Sequence, residues 1–247
     1  MLHYTRLGKG HKKILFIHGN LASTHWWGPA MDRLADEFDM LAVDLPGYGQ
    51  SAPCADAVSI KGHGAAVISL LSDLDFTPCT VVGHSLGGAV AMQIAADIPD
   101  LLDALVLVDS APVTGMGPFD YAMLEQVVAN EDLLKLSLQA TLAMNVPAAL
   151  WETLLADCVA SKASFIPNSR ALTEMDFTEG ARTFAKPVLV MRGEKDPVIT
   201  AAVAAQTAAA YGQSQLTILP GSGHNPQVEV PDEFVQVLRD FIMKISG

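Results

Sequence analysis

The 247-residue chain carries a formal net charge of −12, and half of its residues are hydrophobic. That length suits one α/β domain with an insertion, and the acidic balance argues against nucleic-acid partners. No apolar run approaches the roughly 18–20 residues of a membrane span, no leader-type apolar segment follows the basic start MLHYTRLGKGHKK, and the three cysteines, Cys54, Cys79 and Cys158, lack metal-ligand spacing, so a reduced, cytoplasmic protein is expected.

Lys12 to His18 predicts a strand whose continuous apolar run marks cover on both faces. His25 to Phe38 carries Trp26, Trp27, Met31, Leu34 and Ala35 at helical spacing and predicts a helix on the sheet. One of its two tryptophans is expected to face a pocket. Met40 to Leu45 is the next strand, closed by the tight loop Asp44-Leu45-Pro46-Gly47-Tyr48-Gly49-Gln50-Ser51. Ala57 to Asp75 predicts a helix. Cys79, Val81 and Val82 belong to a buried strand, and Leu86 to Asp97 is a helix rich in small residues. Asp103 to Asp109 is another continuous strand. The Gly/Pro-rich stretch from Val113 to Pro118 leaves the sheet. Helical patterning then runs to about Phe184, with candidates at Phe119–Ala129, Glu131–Met144 and Pro147–Ala160. Lys186 to Arg192 returns as a strand, Thr200 to Tyr211 is a helix, and Gln215 to Leu219 is the last strand. Pro231 to Ser246 closes the chain as an amphipathic helix whose first turn is Pro-Asp-Glu.

Gly83-His84-Ser85-Leu86-Gly87 sits between a predicted strand and a predicted helix. A strand that turns sharply into a helix needs small residues on both sides of the turn. The apical Ser is then strained, with its hydroxyl exposed, and the helix N-terminus supplies free N–H groups. Four other pieces accompany it in order: His18-Gly19-Asn20, the Asp44 to Ser51 loop, Gly193-Glu194-Lys195-Asp196-Pro197 and Gly221-Ser222-Gly223-His224. Together these pieces resemble the α/β-hydrolase fold superfamily over nearly the whole chain. The resemblance implies a mostly parallel central sheet flanked by helices, with a helical cap inserted after the sixth strand. The core would comprise residues 1–112 and 185–247, and the cap residues 113–184.

A serine hydroxyl needs a base within reach, and the base an orienting partner. Ser85, Asp196 and His224 all fall on loops at the carboxyl ends of predicted strands, in the chain order expected of this fold. Ser85 is therefore the expected nucleophile, His224 the base and Asp196 the acid. Asp109 also ends a strand, and some relatives draw their acid from there; the Gly-x-x-Asp-Pro context favours Asp196. The resemblance implies oxyanion donors at the backbone N–H of Asn20 and Leu86, with the Asn20 side chain free to vary. His18 and Asp44 are expected to brace loops. Trp26, Trp27, Met116, Phe119, Met144 and Trp151 are candidate substrate contacts. Neither metal nor cofactor is expected.

The expected activity is hydrolysis of a carboxylic ester, lactone or thioester with a small to medium apolar acyl group, by a monomer or homodimer. Cofactor-free C–C hydrolases and lyases resemble the chain too. Those of the menaquinone pathway usually place Arg where this chain has Ala89, and the insertion holds only Arg170 and Arg182 for an anionic substrate. A triad-retaining ligand receptor is the reading outside the enzymes.

Overall fold

The computed structural model describes residues 1–53 and 58–245. Cys54, the start of the helix expected from Ala57, and Ser246 lie outside the described residues. Among those described, seven strands form one sheet: β1 (Tyr4–Leu7), β2 (Lys12–Ile17), β3 (Phe38–Val43), β4 (Cys79–His84), β5 (Leu102–Val108), β6 (Val188–Gly193) and β7 (Ser214–Leu219). Their order is β1-β3-β2-β4-β5-β6-β7, and every neighbouring pair is parallel except β1 with β3. Successive side chains on a strand point to opposite faces. Ile14 and Phe16 of β2 accordingly pack with α1 (Gly28–Leu34) and α10 (Pro231–Lys244), whereas Leu15 and Ile17 pack with α2 (Ile60–Asp73) and α3 (Leu86–Asp97).

From β2 the chain first builds outward to β3 and then returns to add β4 on the other side. This reversal opens a crevice at the carboxyl ends of β2 and β4, where ligands bind in open α/β sheets. The helical insertion lies between β5 and β6: α4 (Tyr121–Ala129), α5 (Glu131–Thr141), α6 (Ala148–Thr173) and α7 (Thr178–Thr183). It leaves the sheet after the fifth strand rather than the expected sixth, because only four described strands, β1 to β4, precede the strand that ends at Val108. The helices α8 (Ala201–Ala209) and α9 (Pro226–Glu229) complete the chain.

Several boundaries differ from expectation for local reasons. The edge strand β1 has only four residues, none of them fully buried, so its pattern is too weak to read. The helix expected over His25–Phe38 is a 3₁₀ turn at Thr24–Trp27 followed by α1, and Phe38 already opens β3. Pro29 sits in the first turn of α1, where its missing N–H costs no helical bond. The third insertion helix runs on to Thr173 through Pro167. Asn168 Nδ2 and Ser169 Oγ donate to carbonyls one turn earlier (2.8 Å each), and Leu154, Cys158 and Leu172 anchor the helix on the core.

Candidate active site

The turn from β4 into α3 is built by glycine. A Cβ on Gly83 would strike the carbonyl of Gly87, and one on Gly87 the carbonyls of Ile17 and His18. Between them Ser85 adopts φ 53°, ψ −115°, a conformation that a side chain rarely takes. Ser85 N donates to Val108 O (3.0 Å) and Ser85 O accepts from Gly88 N (3.0 Å), so the strain is held from β5 and from within α3. Leu86 is the first residue of α3, where helix geometry leaves the N–H without an intrahelical partner.

Asp196 and His224 follow the neighbouring strands β6 and β7. His224 Nδ1 donates to Asp196 Oδ2 at 2.9 Å, and both side chains are buried. Burial pushes the Asp196 carboxyl up, but the His224 hydrogen bond and charge, with further stabilisation from Asp109 and Val198 N, outweigh it and hold the group at about 2. His224 N donates to Thr141 O, and His84 Nε2 donates to His224 O, each at 2.8 Å. Burial, then the neighbouring His224, push His84 down to about 3. The neutral ring must carry its proton on Nε2, because a carbonyl only accepts, and its Nδ1 meets no donor.

Asp109 ends β5 at φ 41° beside this pair. Its Oδ1 accepts from Gly193 N (3.0 Å), and its Oδ2 is buried without a hydrogen-bond partner. Burial first, then the neighbouring Asp196, raise Asp109 well above the carboxylate range. That shift favours the protonated form of Asp109 beside the Asp196 carboxylate. No metal-ligand cluster is visible in the sequence spacing, but among the described residues the fold assembles one donor group: Asp109, Asp196 and His224 offer atoms within 4.8 Å of one another. Within that group His224 Nδ1 is already committed to Asp196 Oδ2.

Ser85 and His224 share the wall of a cavity of about 300 Å³, with Trp26, Met116, Phe119, Leu138, Phe165 and Leu172 among its apolar lining. Besides Ser85 and His224, its polar members are Asn20, His84, Ser137, Thr141, Ser169 and Asn225, and among the described residues no Asp, Glu, Lys or Arg lines it. Asn20 thus reaches the site, but its side chain is not free to vary. Oδ1 accepts from Tyr48 Oη (2.6 Å) and Leu21 N (3.2 Å), and Nδ2 donates to Phe165 O (3.2 Å), tying the β2 loop to α6. His18 and Asp44 brace as expected: His18 Nε2 accepts from Leu45 N (3.1 Å), and Asp44 accepts from Thr24 N (2.7 Å) and Gln50 N (2.9 Å).

Three expected contacts lie elsewhere. Trp27 is fully buried against Phe16 and Phe234 on the α10 side of the sheet, because consecutive residues of the 3₁₀ turn point apart. Met144 and Trp151 line a shallow surface depression beyond α5, outside the cavity. Val198 and Ile199, in the cavity wall, escaped the sequence reading because they follow Asp196 in a loop without periodicity.

Comparison with known proteins extends this picture. A 2-(acetamidomethylene)succinate hydrolase of Mesorhizobium japonicum is 27% identical over 93% of this chain and 87% of its own. A pimeloyl-[acyl-carrier protein] methyl ester esterase of Proteus mirabilis is 28% identical over 96% of this chain and 95% of its own. An esterase from Exiguobacterium antarcticum shares the fold at a TM-score of 0.89 and 22% identity, covering 100% of this chain and 96% of its own. No helix among the described residues is long and apolar enough to cross a membrane. The family described as "Alpha/beta hydrolase family" matches residues 14–237, from the start of β2 into α10. A match of that extent takes in the elbow, both carboxylates and the histidine loop, and the chain belongs to the alpha/beta hydrolase family.

Proposed function

We propose that the protein is a serine hydrolase that cleaves a carboxylic ester, or a lactone or thioester, of a small to medium uncharged acyl group through an acyl-enzyme. The observation that carries this reading is the strained Ser85 on the wall of one apolar cavity with a His224 already hydrogen-bonded to an ionised, buried Asp196. Ser85 Oγ attacks the acyl carbon while His224 Nε2 takes its proton. The N–H groups of Asn20 and Leu86 receive the developing oxyanion, each worth about 3–4 kcal/mol to the transition state. His224 then protonates the departing alcohol, and a water activated by the same ring frees the acid. Asp196 fixes the tautomer with the proton on Nδ1 and stabilises the imidazolium. Residues 113–184 act as a cap that excludes water and selects the acyl group.

The activity for which the methyl ester esterase relative is named supports ester cleavage. The other relative is named for a succinate. A buried carboxylate needs a cationic or multiple N–H partner. The uncharged lining here supports a neutral acyl group instead.

The test is a graded series of p-nitrophenyl acyl esters and lactones, with fluorophosphonate labelling mapped by peptide mass spectrometry. Labelling at Ser85 with turnover that Ser85→Ala abolishes is expected. Turnover that survives Ser85→Ala sinks the mechanism. Labelling without turnover across the panel turns the search to C–C bonds or to a receptor role.

A further inference from the structure

Glu229, at the end of α9, is 8% exposed, and no Lys, Arg or His among the described residues pairs with it. Its carboxylate is instead filled by backbone. Oε2 accepts from Gly223 N (3.0 Å), Ala143 N (2.7 Å) and Met144 N (2.9 Å), and Oε1 accepts from Asn225 N (3.0 Å). Gly223 and Asn225 flank His224, while Ala143 and Met144 belong to the connection from α5 to α6. The last residue of α5 touches the histidine loop twice more: Thr141 O accepts from His224 N (2.8 Å), and Thr141 Oγ1 accepts from Asn225 Nδ2 (2.9 Å).

We infer that Glu229 is a positioning residue for His224, clamping the histidine loop to the Thr141–Met144 end of the insertion. The inference rests on the reading of His224 as the base. A carboxylate has about four lone-pair sites and no donor, which suits four converging N–H groups. An amide in the same place has one oxygen and turns an NH₂ against N–H. With both neighbours of His224 fixed on one side chain, and its own N–H and C=O on Thr141 and His84, the ring has little freedom except about its side-chain torsions. The insertion is consequently part of the base's mounting. Thr141–Met144 cannot swing away without carrying His224 off Asp196. Access to the cavity has to open elsewhere in its lining, which includes the exposed Met123 of α4 and the exposed Val198.

The experiment compares the full chain with Glu229→Gln and with Glu229→Asp, which keeps the charge but is one methylene short. The second variant preserves the test should the first not fold. Three quantities are read: the rate of fluorophosphonate labelling per labelled Ser85, kcat and KM for a short ester across pH, and backbone amide exchange. The titratable groups around His224 are Asp196 after β6, His84 at the end of β4, Asp109 after β5 and Glu229 itself. Both variants are expected to lose roughly ten- to a hundredfold in kcat and in labelling rate per site, as for other small misplacements of a catalytic group, with KM little changed. The acidic limb of kcat/KM is expected to move to lower pH, because the imidazolium loses its fixed carboxylate partner. The amides of Ala143, Met144, Gly223 and Asn225 are expected to exchange faster together. An undiminished rate per labelled site with an unmoved limb, even with fewer sites labelled, overturns the inference and leaves Glu229 a staple of the fold. Should the parent protein neither label nor turn over, the hydrolase reading fails. The exchange data then still decide the clamp, which is overturned where the amides of the two segments do not respond together.

Discussion

Replacing Asp109 by Asn tests whether the carboxyl pair behind His224 holds a proton. Asp109 is 1% exposed and accepts one N–H bond, from Gly193, while its other oxygen, near the Asp196 carboxylate, is buried without a hydrogen-bond partner. Two buried carboxylates side by side cannot both ionise, and Asp196 is the one with the imidazole. In the unfolded chain Asp109 ionises near pH ~3.9. Above that pH, and until the native carboxyl ionises, the native state binds one more proton than the unfolded state. Stability therefore falls as pH rises, by about 1.4 kcal/mol per unit. Asn has no such linkage. It keeps an acceptor for Gly193 N and an N–H for Asp196, and it tolerates a φ of 41°. Asp109→Asn is thus expected to be more stable than the parent above about pH 4, by a margin that grows about 1.4 kcal/mol per unit and reaches roughly 3 kcal/mol over two units. Ester turnover is expected to stay near the parent's. Urea unfolding from about pH 5 to about pH 7 reads the margin. A flat difference across that range, or one that favours the parent, refutes the shared proton.

The two adjacent tryptophans separate binding from folding: Trp27→Ala is expected to cost about 3–5 kcal/mol of stability, whereas Trp26→Ala is expected to change KM and acyl-length preference more than the melting temperature, and a comparable loss of stability in both would contradict their placement. Asp196→Asn is expected to keep the fold and lower kcat by about four orders of magnitude, through the wrong imidazole tautomer; steady-state kinetics that find a loss no larger than tenfold would move the acid's role to Asp109.

The legible parts of this chain are those where local chemistry has few solutions. Gly83, Ser85 and Gly87 between an apolar strand and a small-residue helix admit little besides a strained turn, and α3 spans the residues that pattern predicts, Leu86 to Asp97. The buried strands were equally plain, because both faces of the sheet are covered. What escaped is set by tertiary contacts. The end of the insertion's long helix was hidden by Pro167, a residue that normally stops a helix and here does not. The sequence offered no way to tell Trp26 from Trp27, since a 3₁₀ turn in place of an α-helix decides which points at the cavity. The use of the Asn20 side chain depends on Tyr48 and Phe165, remote in sequence. Glu229 carries no motif at all when read along the chain, because its four partners come from two segments that only the fold brings together.

The uncharged lining has a consequence for the end of the reaction cycle. A neutral ester enters such a wall with only its apolar surface to lose from water, yet hydrolysis leaves a carboxylic acid that ionises at neutral pH. With His224 back in its neutral form, an anion there would face no Lys or Arg among the described residues and would sit near the negative charge of Asp196, so its transfer from water is opposed. For the proposed ester cleavage, substrate and acid product thus differ in charge as well as size, and product inhibition is expected to be weak at neutral pH and stronger in acid.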